Sequence, residues 1–188
     1  MNSSLYRSIF VLSGLVLILV YSKFQKSVID DYFTINDEYI LKNLPNQKLF
    51  TSEEVDNPLF AREFLAGSNA QGLYVHFWAT WCGPCEKELP EFLEFADSFS
   101  EMGVSFLIVA VKDNQKEVQK FIKKFNISKN VTIAYDPKGD AMREFGTLRV
   151  PETYLFKKDF SLLKKFVGPQ DWLNPHYLSN SVYLLKLN

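Results

Sequence analysis

Cys82 and Cys85 are the residues of this chain best suited to chemistry: two thiols with two residues between them, Gly83 and Pro84. No other cysteine occurs. That count excludes a scaffold of several disulfides and does not supply the four ligands of a structural zinc site. The two histidines, His76 and His176, are too far apart for compact Cys/His metal spacing. A purely structural bridge across so short a loop would remove little entropy from the unfolded chain. Reversible thiol–disulfide exchange is the better reason for the pair, over an inert buried pair or a metal-binding one.

Exchange requires a thiolate, and a thiolate forms more readily where a helix amino terminus offers partial positive charge and free backbone donors. The residues around the pair predict such a place. Leu73–Ala79 reads as a buried strand, and from Pro84 onward Leu89, Phe92, Leu93, Ala96 and Phe99 recur at helical spacing. Cys82 therefore falls at the helix start as the attacking thiol, and Cys85 one turn inside as the resolving thiol. Gly83 permits the tight turn, and Pro84 suits an early helical position because its missing donor is not needed there. Pro90 should kink the helix. Glu88, three residues after Cys85, should share its face, where a carboxyl could relay a proton; Glu86 and Glu91 better fit solvated helix positions.

The remaining elements place this unit in an α/β fold with a mixed central β-sheet flanked by helices. A helix is predicted from Pro58, with Leu59, Phe60, Phe64 and Leu65 on one face. Val104–Val111 is a strand. Val118, Phe121, Ile122 and Phe125 mark an amphipathic helix, and Val131–Tyr135 is a short strand ended by the turn Asp136-Pro137-Lys138-Gly139. A brief helix around Ala141–Phe145 leads into Val150-Pro151. Glu152–Phe156 and Leu162–Val167 form a hairpin, and a last helix opens at Gly168-Pro169 and is limited or bent by Pro175.

At 188 residues the chain holds one well-cored domain and an appendage. Residues 1–26 are read as an amino-terminal membrane anchor or signal segment, 27–56 as a linker and peripheral segment, and 57–188 as the thiol domain. Ile9–Val20 is almost unbroken in its apolar character, with Arg7 before it and Lys23 and Lys26 after. A tilted or short span and a signal peptide cleaved after Ser22 both fit its length; the anchor is the expectation. With 47% apolar and 23% charged residues the composition is globular. A net charge of −1 gives no clustered basic surface for nucleic acid. Lys116, Lys120, Lys123 and Lys124 read as the solvated face of a helix.

Phe77-Trp78-Ala79-Thr80-Trp81-Cys82-Gly83-Pro84-Cys85, with Glu86-Lys87-Glu88-Leu89-Pro90 after it, resembles the exported TlpA/ResA/CcmG-like branch of the thioredoxin superfamily. Gly146-Thr147-Leu148-Arg149-Val150-Pro151-Glu152-Thr153-Tyr154-Leu155 adds a second matching segment, and the similarity spans about residues 58–170. The resemblance implies a thioredoxin-like fold and a thiol-disulfide oxidoreductase that reduces exported partners, such as apocytochrome c or proteins of metal-centre assembly. It further implies a catalytic domain held outside the cytoplasm at the bacterial inner membrane, or free in the periplasm after cleavage. A membrane dithiol donor would resupply electrons, and no bound cofactor is implied. It makes Pro151 the cis proline facing the thiols and places Glu88 beside them. His76 departs from the pattern, which has an acid or asparagine there; a hydrogen-bonded core residue is the expectation, ahead of a base. An envelope oxidant, a thiol peroxidase and a non-enzymatic membrane-held module are the competing functions.

Overall fold

The strand that leads to the thiols, β3 (Gly72–Trp78), is buried along its whole length, which puts it at the heart of a sheet covered on both faces. In the computed structural model, which describes residues 41–51 and 58–187 together with Val20, Tyr21 and Lys23, that sheet has seven strands. They are β1 (Lys48–Thr51), β2 (Pro58–Phe60), β3, β4 (Val104–Val111), β5 (Val131–Asp136), β6 (Glu152–Lys157) and β7 (Leu162–Val167). Their order is β2-β1-β5-β4-β3-β6-β7. The β3–β4 and β4–β5 pairs are parallel, and β3–β6, β6–β7, β1–β5 and β1–β2 are antiparallel. The mixed sheet flanked by helices is the architecture the element order predicts.

Alternation along β3 divides the core. Tyr74 and Trp78 face α2 (Gly83–Asp97), α3 (Gln115–Ile122) and α5 (Pro175–Leu185), whose Phe92, Val118 and Leu185 share their cluster. Leu73, Val75 and Phe77 face α1 (Ala61–Gly67) and α4 (Asp140–Glu144), packing with Leu65 and Ala141. Tyr74 anchors the first layer. Its ring stacks on Phe106 at 4.9 Å, meets Phe95 edge-on at 5.5 Å, and its hydroxyl is 2.5 Å from Ser181 Oγ. Each such aromatic pair contributes about 0.5–1.5 kcal/mol beyond its burial.

Two elements differ from the sequence reading, the helix expected from Pro58 and the start of the last helix. Pro58 does not start a helix: Pro58–Phe60 is an edge strand paired with β1, and α1 begins at Ala61 after an extended Phe60. A proline lacks a donor, which an edge position does not require. Lys48–Thr51, in the segment read as a linker followed by irregular or short extended structure against the domain, is a sheet strand between β2 and β5, with Leu49 fully buried. The last helix starts at Pro175, not at Gly168-Pro169. Asn174 caps it through the His176 amide, and the proline takes the first helical position.

Helix α2 runs unbroken through Pro90. Lys116, Lys120, Lys123 and Lys124 are all exposed. Residues 1–40 and 41–188 are two units; in the first, Val20, Tyr21 and Lys23 are helical. The anchor or signal reading of residues 1–26 lies almost wholly outside the described residues, among which no helix is long and apolar enough to cross a membrane.

Candidate active site

The thiol turn is built at the carboxyl end of β3 and clamped by the carboxyl end of its parallel neighbour β4. Asp113, just past β4, accepts hydrogen bonds from the Thr80 amide at 2.5 Å and the Thr80 hydroxyl at 2.9 Å. Lys112, held at φ 48°, offers its carbonyl to the Trp81 indole at 3.2 Å. The Trp81 ring is otherwise 61% exposed.

Cys82 is the amino-terminal cap of α2: its Sγ accepts the Cys85 amide hydrogen at 3.3 Å. The two cysteines are joined as a disulfide with their Cα atoms 5.2 Å apart. Cys82 retains 7% exposure and Cys85 none. The sulfur nearer solvent is thus also the one that meets helix-end donors, and those donors favour a thiolate there once the bridge is reduced.

Across from the pair, the Val150–Pro151 bond is cis, and the Val150 carbonyl oxygen lies 3.7 Å from Cys82 Sγ. The loop that carries it is tied down from beneath. The Tyr154 hydroxyl lies within hydrogen-bond reach of Thr147 Oγ1, the Phe145 carbonyl and Glu152 Oε2, at 2.7, 2.9 and 2.9 Å. Lys165 Nζ is 3.2 Å from buried Glu152 and donates to the Gly146 carbonyl at 3.3 Å. Above these ties Leu148 is 90% exposed.

Glu88 is buried one turn beyond Cys85, with 4% exposure. Its Oε1 accepts hydrogen bonds from the Trp172 indole and, at 3.3 Å, the Gln170 amide. Its Oε2 has no partner. Burial pushes this carboxyl up to about 7, against the two donors, which favour the anion; the Glu91 charge adds a smaller push upward. Glu88 also borders a cleft of about 430 Å³ between the start of α2 and the β7–α5 loop, shared with Pro84, Lys87, Glu91 and Gln170.

His76 is fully buried on β3. Its Nδ1 is 2.8 Å from Thr153 Oγ1, its ring stacks on Phe92 at 4.3 Å, and its Nε2 has no partner. Burial holds its pKa down to about 3, so the ring is neutral over the physiological range. The hydrogen-bonded core placement is the one the sequence favours.

The structure brings Cys82, Cys85 and the cis Pro151 loop together and sets Glu88 one helical turn from Cys85. Sequence reasoning missed Asp113, Trp172, Gln170 and Lys165. Asp113 carried a usable signal, a polar cluster straight after a buried parallel strand, where sites in α/β sheets collect. Trp172 carried none, because it lies in a loop without periodicity.

Residues 44–179 match the Redoxin family, and the chain belongs to it. It is similar to the thiol-disulfide oxidoreductase ResA of Bacillus thuringiensis, 29% identical over 100 residues that cover 53% of this chain and 57% of that one. It is also similar to the sporulation thiol-disulfide oxidoreductase A of Bacillus subtilis, 32% identical over 105 residues, 54% and 62% of the two chains. The matches thus span about three-fifths of the length of these curated relatives. The crystal structure of StoA from Bacillus subtilis superposes with a TM-score of 0.55 at 25% identity, covering 74% of this chain and 98% of that one. A thiol:disulfide interchange protein of the thioredoxin family from Chlorobium tepidum superposes with a TM-score of 0.60 at 21% identity, covering 77% and 96%, a likeness of fold. The fold is thioredoxin-like.

Proposed function

We propose that this chain is a protein thiol-disulfide oxidoreductase acting as a reductant of exported disulfide-containing partners. The observation that carries the reading is the Val150 carbonyl seated 3.7 Å from Cys82 Sγ, with that sulfur at the amino terminus of α2. One side of the reactive sulfur meets helix donors, and the other meets the cis-proline loop, beside which a partner chain can lie.

In the reduced protein the Cys82 thiolate attacks one sulfur of a partner disulfide. A Cys82–partner disulfide forms, the partner's own S–S bond breaks, and its leaving sulfur takes a proton. Cys85 then loses its proton and attacks Cys82 Sγ, which restores the bridge and expels the second partner thiolate. The partner's two sulfurs end as thiols, one taking the Cys85 proton and the other a proton from solvent, and two electrons pass to the partner. A membrane dithiol donor returns them to Cys82–Cys85. No bound cofactor enters this sequence. Pro151 aligns the partner chain, and Glu88 tunes the second half: neutral or charged according to pH, it receives or relays the Cys85 proton.

The names of the relatives support exchange chemistry, and the apolar run Ile9–Val20 supports an amino-terminal anchor with the thiol domain outside the cytoplasm. Apocytochrome c and metal-centre assembly proteins fit as partners because their cysteines must be reduced before they bind heme or metal. The test is capture in living cells: Cys85→Ser should accumulate mixed disulfides through Cys82, and Cys82→Ser should abolish them. Adducts that persist in Cys82→Ser would overturn the assignment, and a reduction potential above that of the partners would reverse the direction of electron flow.

A further inference from the structure

The Glu88 carboxyl is bound asymmetrically. Both of its donors, the Trp172 indole and the Gln170 amide, reach Oε1, while Oε2 is buried without a partner. An indole N–H and a backbone N–H can only donate. Oε1 must therefore remain an acceptor whether the carboxyl is charged or neutral, and a proton can reside on Oε2 alone. We propose that Trp172 is a positioning residue for thiol exchange: its indole pins Oε1, confines proton exchange to Oε2, and sets the pH at which Glu88 changes state. The inference rests on the assignment of Glu88 to the second half of the exchange.

Trp172 is built to hold that donor still. It is 1% exposed, and its ring is 4.9 Å from Phe92, 5.1 Å from both Phe95 and Phe166, and 5.0 Å from Tyr177. The second donor is braced as well. The Gln170 side-chain amide bonds the carbonyls of Val167, Gly168 and Pro169, and its Oε1 accepts the Tyr177 hydroxyl at 2.7 Å. The loop that bears both donors is thereby fixed to β7 and to α5.

The charged groups around Glu88 do not replace this control. Lys87 and Glu91 line the same cleft on α2, and Asp171 lies exposed between the two donor residues. On β7, Lys165 is engaged by Glu152 and Lys164 lies over the Phe166 ring. His76 on β3 is neutral, and its ring stacks on Phe92, which in turn meets Trp172 edge-on. A hydrogen bond to a charged group is strong enough to move a titration by about one pH unit or more.

The test reads the Glu88 side-chain carboxyl by carbon NMR across pH in the oxidised protein. Trp172→Phe keeps an aromatic ring and removes the donor, and should move the Glu88 midpoint upward by about one unit; an unmoved midpoint overturns the proposal. In the unsubstituted protein the Trp172 indole proton should titrate with the same midpoint and become pH-independent in Glu88→Gln. An indole proton that stays fixed overturns the proposal even if Trp172→Phe does not fold. Failure of the parent assignment shows elsewhere: Glu88→Gln would then leave the pH profile of Cys85 alkylation unchanged.

Discussion

His76 Nδ1 lies 2.8 Å from Thr153 Oγ1, a buried hydrogen bond that joins the strand leading to the thiols to the strand leaving Pro151. The two residues face each other directly in the β3–β6 register. The imidazole is the larger partner, but the threonine is what makes its burial tolerable, because Nε2 is already without a partner.

Thr153→Val should therefore cost about 1–3 kcal/mol, the penalty of leaving a buried polar atom unpaired. The substitution conserves shape, so packing loss is small. Urea denaturation at neutral pH would measure it, and an unchanged midpoint would show that the contact carries no net stability.

His76 and Glu88 should oppose each other in the pH dependence of stability. The His76 pKa is lowered on folding from 6.5 to about 3, so the native state binds fewer protons than the unfolded chain in that window. Stability from this group is present above the unfolded value and is lost as pH falls from about 6.5 to about 3. The Glu88 pKa is raised from 4.5 to about 7, so its penalty grows as pH rises through that interval. Between about pH 4.5 and 6.5 the two slopes cancel. Glu88→Gln should remove one slope and leave stability rising with pH there. The gain over the wild type should grow as pH rises through that interval, reaching on the order of 3 kcal/mol above pH 7. Equal pH profiles for the two proteins would contradict this.

Asp113→Ala should loosen the thiol turn without touching a sulfur. It strips the Thr80 amide and hydroxyl of their acceptor, a loss of about 1–3 kcal/mol. It also removes a negative charge near the thiols. Native-state hydrogen exchange should rise at Thr80 and Trp81 more than in the middle of β3. Exchange that is unchanged at Thr80 would show that the clamp is dispensable.

Lys165→Met should release the loop before Pro151. Glu152 has 4% side-chain exposure and Lys165 34%, so the pair is only half sheltered. Its loss should cost about 1–3 kcal/mol, less than a fully buried pair. Faster proteolytic cleavage between Gly146 and Val150, at unchanged far-ultraviolet circular dichroism, is the expected sign. Resistance equal to the wild type would mean that the Tyr154 contacts hold the loop alone.

What the sequence disclosed follows from the range of the interactions involved. The burial of β3 and the helical phase of Leu89, Phe92, Ala96 and Phe99 are local patterns, and they located Cys82 at the start of α2. The spacing from Cys85 to Glu88 is local too. The partners of Glu88, however, lie 82 and 84 residues away in the chain, and no local period reports such a contact. Pro58 and Pro175 misled for a related reason. A proline tolerates both a helix start and an edge strand, and only the pairing of Pro58 with Phe50 decides the first. For Pro175 the cap residue Asn174 was the available sign, outweighed by the turn-like Gly168-Pro169 upstream.

The outermost strands also bear on how this sheet meets other chains. A bare strand edge is a template on which any extended polypeptide can add itself, and folded proteins blunt that hazard with proline, brevity or lysine. Here β2 is three residues long and begins with Pro58, while β7 carries exposed Lys164 and Lys165 at its middle. A protein that would handle extended partner chains at one loop is thus made a poor template for fibril-like growth along both of its margins.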